Sequence, residues 1–404
     1  MNILLLYAVQ IFPCEQSWYS FYDQILDFMK KEKIILNSTL LVAYLSPASE
    51  KEKKVFEADM KDYKSIGLPD NTRFNTCRNK EVLLKYIEDN SVDCIFNLMH
   101  PNIDLIHFLK FIRLNSKCKF LNIIHNRPDL VVYNKRQRLS NSNIRDLKTL
   151  KERTQKLTYP LYIRLLEYYI QRINVKSYEL HDGIVLLSDS YIDIYKKMID
   201  RNAKNIYAIS NPMPKISSKV SIECKKNEII FVGHLTKVKS VDRLLFIWLK
   251  IQNVLKEWSL VIVGDGPEKS YLESIVKMFR LERVRFVGYA KSINYIDSAK
   301  ILCLVSNFEG LPTVFLEAMC LGVIPIGYDT FPAIYDIIDN KKNGFIIPFE
   351  NESCYIEMLL GVAKNDSLRQ QLAHEAKKRS EKFSVEQIGK KWIDVFASLD
   401  LIPK

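Results

Sequence analysis

Short apolar runs recur along this chain, separated by longer segments whose apolar residues are spaced for one face of a helix. Ile3–Val9 is the first run and predicts a buried strand, followed by an amphipathic helix over Ser17–Lys31. Leu40–Leu45 predicts a second strand and Glu81–Glu88 a helix, while Cys94–Leu98, Phe120–Ile124, Gly183–Ser188 and Ile206–Ile209 are further runs of buried-strand type. Ser210-Asn211-Pro212-Met213-Pro214 then breaks the rhythm with two prolines, and the polar stretch to Asn227 predicts a linker.

Beyond the linker the rhythm restarts. Glu228–Val232, Ser259–Val263, Val284–Val287, Ile301–Val305 and Val323–Ile326 predict strands, and Val241–Leu255, Lys269–Phe279 and Leu311–Leu321 helices. Glycines follow the strands directly at Gly233, Gly264-Asp265-Gly266 and Gly288. Repeated strand–glycine–helix units predict right-handed crossovers and a parallel sheet, whose ligands bind beyond the carboxyl ends of its strands. The expectation is an α/β protein of two domains, 1–209 and 228–384, joined by 210–227.

Composition agrees with that division. A chain of 404 residues is too long for one ordinary core, and 48% hydrophobic with 26% charged residues excludes a disordered polymer. Ile3–Val9 has neither a basic lead nor a small-residue cleavage site, so a strand is expected rather than a signal peptide. No run approaches the ~18 residues that a membrane-spanning helix needs. The eight cysteines fall at no metal or redox spacing and the six histidines form no ligand cluster. Reduced thiols, a cytoplasmic location and no metal are therefore expected.

The net charge of +12 changes the picture because it is concentrated. Residues 105–178 hold sixteen Lys/Arg against four acids, and the rest of the chain balances. Within that stretch Leu157–Ile173 interleaves leucine, isoleucine and tyrosine with Arg164 and Arg172. With Arg127, Lys135, Arg136, Arg138 and Lys148 it is a candidate surface for an acceptor or for anionic lipid headgroups. A solvated helix face accounts for such charge as well. No nucleic-acid motif accompanies it, so nucleic acid is not expected as a partner.

Three strand-to-loop motifs carry candidate chemistry. Phe231-Val232-Gly233-His234-Leu235-Thr236-Lys237-Val238-Lys239-Ser240 runs from a strand through a glycine turn, with Lys239 suited to a diphosphate and His234 to an anion. Val263-Gly264-Asp265-Gly266-Pro267 repeats the turn; alone such a turn is a weak signal. Ser306-Asn307-Phe308-Glu309-Gly310-Leu311-Pro312-Thr313 leads into a helix carrying Glu317, whose first amides and dipole form a ready anion site. Two acids beside an anion site are unfavourable unless each holds a hydroxyl, and a sugar nucleotide supplies hydroxyls on both its sugar and its ribose.

In this order FVGHLTKVKSVDRLL, IVGDGPEKSYLE, VRFVGY and SNFEGLPTVFLEAMCLGVIPIGYD resemble the donor half of glycosyltransferase family 4. The resemblance implies the GT-B architecture, two Rossmann-like domains facing across a cleft, with the last helix (385–404) crossing back to the first domain. It also implies a metal-independent, configuration-retaining transferase that uses a UDP- or GDP-linked sugar and no other cofactor. Lys239 would hold the diphosphate, Glu317 the ribose and Glu309 the transferred sugar. Amides at Gly310 and Leu311 would face the departing phosphate, and Gly233, His234, Gly264, Gly266 and Thr313 complete the donor-binding set. In the first domain His125, at the end of a strand, is the candidate catalytic histidine and His100 a second choice.

The sequence departs from the family pattern in three places. His234 stands where arginine is common, Phe12-Pro13-Cys14-Glu15-Gln16 replaces a glycine-rich turn, and Asp329-Thr330-Phe331-Pro332 replaces a double glycine. The expected activity is transfer to a lipid-linked or surface-polysaccharide acceptor (lipopolysaccharide, capsule or exopolysaccharide) by a protein peripheral on the inner membrane face. A catalytically silent GT-B subunit binding a partner or membrane, and an enzyme making a storage glucan or disaccharide, are the alternatives.

Overall fold

A computed structural model describes residues 1–8, 18–45, 63–133, 150–213 and 216–403, without the side chains of 8, 18–19 and 150–158. The Phe12–Gln16 turn and Lys135, Arg136, Arg138 and Lys148 lie outside the described residues. Contacts divide the chain into one unit of Met1–Ile209 with Lys391–Lys404 and a second of Ser210–Lys390.

The first unit is built on a parallel sheet of β1 (Asn2–Ala8), β2 (Thr39–Leu45), β3 (Lys64–Leu68), β4 (Cys94–Asn97), β5 (Lys119–Ile124), β6 (Gly183–Leu186) and β7 (Ile206–Ala208). Its spatial order is β3-β2-β1-β4-β5-β6-β7, and every pairing is parallel. All four residues of β4 are buried because both faces of the sheet are covered. Side chains alternate between the faces. Ile95 packs with Leu105, Phe108 and Leu109 of helix Ile103–Leu114. Its neighbour Phe96 stacks on Trp392 of the terminal helix Val385–Ser398, with ring centroids 5.2 Å apart. The long helix Leu150–Leu180 contains Pro160 and joins β5 to β6.

The second unit repeats the plan with β8 (Lys226–Val232), β9 (Ser259–Val263), β10 (Val284–Gly288), β11 (Ala299–Leu304), β12 (Ile324–Tyr328) and β13 (Phe345–Ile347). The order is β10-β9-β8-β11-β12-β13, again wholly parallel. From β8 the chain steps outward through β9 to β10, then returns to β11 on the other side and steps outward to β13. That reversal leaves a crevice beyond the carboxyl ends of β8 and β11, the place where doubly wound sheets receive ligands. Residues 210–213 and 216–227 belong to this unit, with Met213 bridged to Ser384.

Several elements were not expected, some of them for lack of a strong hydrophobic run. β3 is largely exposed along its length. Helices Ile103–Leu114, Glu352–Lys364 and Asp366–Ser380 each start at an asparagine, Asn102, Asn351 and Asn365, whose side chain accepts an amide of the first turn.

Candidate active site

The loops at the carboxyl edge of the second sheet are fastened to one another. After β8 the amide of Gly233 donates to Val263 O at 3.0 Å, and that of Leu235 to Asp265 O at 2.9 Å. Gly264 has φ +140, and a Cβ there would lie 1.9 Å from Gly233 O. Only glycine permits so close a crossing of two backbones. Gly233, Gly264 and Gly266 therefore serve the approach of the β8 and β9 loops.

Across the crevice, Asn307 latches the β11 loop to the β8 loop. Its amide donates to Val238 O at 2.8 Å, its Nδ2 to Ser240 Oγ at 2.8 Å, and its Oδ1 accepts from Arg243 at 2.6 Å. Ser240 adopts the left-handed conformation, φ 46 and ψ 45, at the start of helix Val241–Ile251. An L-residue there costs roughly 1–2 kcal/mol, offset here by bonds through its hydroxyl, which also donates to Lys237 O at 3.0 Å.

The result is to aim Lys239 at Glu309. Lys239 Nζ lies 2.6 Å from Glu309 Oε1 and 2.8 Å from Oε2, and Ser306 Oγ donates to Oε1 at 2.7 Å. Glu309 is only 7% exposed. Two residues assigned to the diphosphate and the sugar thus meet at the switch point itself. Gly310 and Leu311 follow directly, and Pro312 precedes helix Thr313–Cys320 without supplying a side-chain cap. Of that helix's first-turn amides, Phe315 N donates to Pro312 O at 3.0 Å, and no capping side chain competes for the others. Glu317 is buried on the same helix and His234 is exposed on the β8 loop. Asp329, after β12, accepts from Tyr335 at 2.7 Å.

In the first unit His125 follows β5 and is buried, with Nε2 3.3 Å from the hydroxyl of Tyr22. Burial, with His100 as a lesser cause, holds its pKa well below the usual imidazole value, so it is neutral at physiological pH. Burial lowers His100 as well. Arg127 does not stand as an open cation: it forms an ion pair with Asp129 at 2.5 Å and lies over the ring of Tyr133. Sequence reasoning missed Arg243, Asn307 and Ser306 as the residues that hold the site together. Asn307 and Ser306 border the motif, whereas nothing in the sequence marks Arg243 beyond its place on a helix.

The fold defines the class first. HepE of Anabaena in complex with UDP superposes with a TM-score of 0.70 at 13% identity, over 98% of this chain and 100% of that one. The lipopolysaccharide outer core galactosyltransferase WaaB, in its apo form, gives 0.69 at 16% identity, over 99% of this chain and 100% of the other. The chain has the GT-B fold of these structures, built from two parallel-sheet α/β units.

Sequence similarity narrows the class. Residues 212–379 match the family model described as glycosyl transferases group 1. The chain is similar to an uncharacterized glycosyltransferase of Haemophilus influenzae, 29% identical over 213 residues, covering 52% of this chain and 60% of the relative. It is similar also to the amylovoran biosynthesis glycosyltransferase AmsD of Erwinia amylovora, 29% over 235 residues, covering 56% and 65%. A third relative is an N-acetyl-D-galactosaminyltransferase of Campylobacter jejuni, named for an undecaprenol-linked glycan, 28% over 228 residues, covering 55% and 62%. The chain thus spans less than two thirds of the length of each of these curated relatives.

Proposed function

We propose that this chain is a retaining glycosyltransferase of the family 4 type, moving a sugar from a UDP- or GDP-linked donor to a surface-polysaccharide or lipid-linked acceptor. The observation that carries this reading is the meeting of Lys239 and Glu309 at the switch point, beside a helix start that lacks a side-chain cap. Lysine and the backbone amides of a helix start suit a diphosphate; a buried carboxylate beside them suits the hydroxyls of the attached sugar.

In this account Lys239 and the Gly310 and Leu311 amides hold the diphosphate, Glu309 orients the transferred sugar and Glu317 the ribose. Gly233, His234, Gly264, Gly266 and Thr313 shape the rest of the donor site. The bond from the sugar's anomeric carbon to the leaving phosphate breaks while a bond to the acceptor oxygen forms on the same face. The acceptor's proton passes to the departing phosphate oxygen. Fixed donors aimed at the charge developing on that phosphate supply the largest catalytic contribution. No metal is invoked, since the side chains at this rim answer the diphosphate's charge with a cation of their own. His125, neutral and placed by Tyr22, is assigned to the acceptor side of the reaction.

Support for the acceptor class comes from relatives named for amylovoran, undecaprenol-linked glycan and lipopolysaccharide outer core. A membrane-associated acceptor also explains helix Leu150–Leu180. Leu161, Leu165, Tyr168 and Tyr169 are exposed there beside Arg164 and Arg172, a composition that suits the interface of an anionic bilayer. No helix among the described residues is long and apolar enough to cross a membrane. The proposal is a peripheral protein at the cytoplasmic face.

A hydrolysis screen across UDP- and GDP-sugars, with mass detection of the released nucleotide, tests the reading. One donor is expected to be consumed, and Glu317→Ala to reduce its turnover at least about tenfold, as loss of a charge-assisted hydrogen bond requires. Consumption of no donor, or unaltered turnover in the variant, contradicts the assignment.

A further inference from the structure

We infer that Glu309 acts as a stand-in for the donor's diphosphate, and that breaking its ion pair with Lys239 lets the site distinguish a nucleotide-sugar from the nucleoside diphosphate left after transfer. The inference rests on the donor site proposed above. Its basis is the geometry of one carboxylate. Glu309 receives Lys239 Nζ on both oxygens, at 2.6 and 2.8 Å, and Ser306 Oγ on one of them at 2.7 Å. Its side chain is 9% exposed and that of Lys239 25%, so water screens the pair only in part.

A diphosphate brings at least two negative charges to Lys239. If Glu309 kept its place, three negative charges would crowd one cation in a partly desolvated crevice, and like charges at contact distance repel strongly. The lysine must therefore change partners. Exchange leaves the Glu309 carboxylate nearly buried with only the Ser306 hydroxyl, and an under-satisfied buried charge is costly. Hydroxyls of a transferable sugar remove that cost by donating to the vacated oxygens. A nucleoside diphosphate alone has no such hydroxyls to offer at that point. The ion pair thus opposes the spent nucleotide more than the intact donor, which favours product release and limits product inhibition.

Glutamine at position 309 keeps the shape but removes the charge that competes for Lys239. The experiment is calorimetric titration of the full chain with UDP and with GDP, in wild type, Glu309→Gln, Lys239→Met and the double variant. For the nucleotide that binds wild type, Glu309→Gln is expected to tighten binding about tenfold, within the range of couplings between contacting charges. In the Lys239→Met background the same substitution should change affinity by less than about twofold, because no lysine remains to be released. Equal affinity in wild type and Glu309→Gln overturns the exchange. An equal gain in both backgrounds overturns it too, since the effect would then be simple repulsion between Glu309 and phosphate. Binding of neither nucleotide to any of the four proteins overturns the nucleotide site itself, and the exchange with it.

Discussion

Individual side chains in this protein are held in protonation states set by burial. His181 is the clearest case: it is buried at the end of helix Leu150–Leu180, its Nδ1 lies 2.6 Å from Ser177 O, and burial pushes its pKa down to about 4. The unfolded chain, with an ordinary value of about 6.5, takes up a proton between those two values that the folded chain refuses. Stability is therefore intact above about pH 6.5 and falls as pH drops through that window. His125, depressed for the same reason, adds a loss of the same sign. The urea midpoint should decrease between about pH 7 and pH 5, and His181→Gln should flatten that decrease. A midpoint independent of pH over this range, or a slope unaltered in the variant, contradicts the assignment. Lys239, Glu309 and Glu317 stood out as candidates at this scale because charged residues interrupt an otherwise apolar strand–loop–helix pattern. Their mutual contact was not legible, since it depends on Asn307 and Ser240 joining loops about 70 positions apart. Spacing along the chain carries no record of that.

At the scale of elements, the sheets were read from runs of buried residues; this missed the three-residue β13, buried throughout, and succeeded for longer strands covered on both faces. Ser259–Val263 and the β4 run are such cases. It failed for β3, an edge strand with half-exposed positions and a glycine, which has no apolar run to notice. Helix Asp366–Ser380 escaped for a related reason: its buried face uses Leu372, Ala373, Ala376 and even Arg369, so its periodicity is faint. The capping asparagines were the available signal. Glycine turns, by contrast, gave the positions of the loops directly. Gly264→Ala tests how tightly they are built. A methyl group there meets the Gly233 carbonyl at 1.9 Å in a backbone conformation that L-residues avoid, and the expected cost is about 2 kcal/mol or more. Thermal unfolding should shift downward and nucleotide affinity should fall with it. A variant with unchanged melting and unchanged affinity would show that the two loops do not depend on this crossing.

At the scale of the molecule, two doubly wound sheets carry a strongly uneven charge, and the proposed function divides the work between a donor rim and a membrane-facing surface. The excess of positive charge lies wholly in residues 105–178, which run through β5 and into helix Leu150–Leu180. In the proposed membrane association each basic residue near an anionic bilayer contributes about 1 kcal/mol, and the exposed Leu161, Leu165 and Tyr168 would add insertion into the interface. Replacing these three with serine should reduce sedimentation with phosphatidylglycerol-containing vesicles by several fold while leaving nucleotide affinity alone. Unaltered vesicle binding would assign the helix face another partner. The parallel sheets were visible from the rhythm of the sequence, and the interleaving of leucine, isoleucine and tyrosine with Arg164 and Arg172 over Leu157–Ile173 marked this stretch as a candidate surface.

The central claim is that the switch point of the second sheet receives the diphosphate of an activated sugar through Lys239. Calorimetric titration of UDP- and GDP-sugars into wild type and Lys239→Met tests it most directly. The account predicts saturable one-site binding of one donor class, weakened at least about tenfold by the substitution. Equal donor affinity in the two proteins would contradict it.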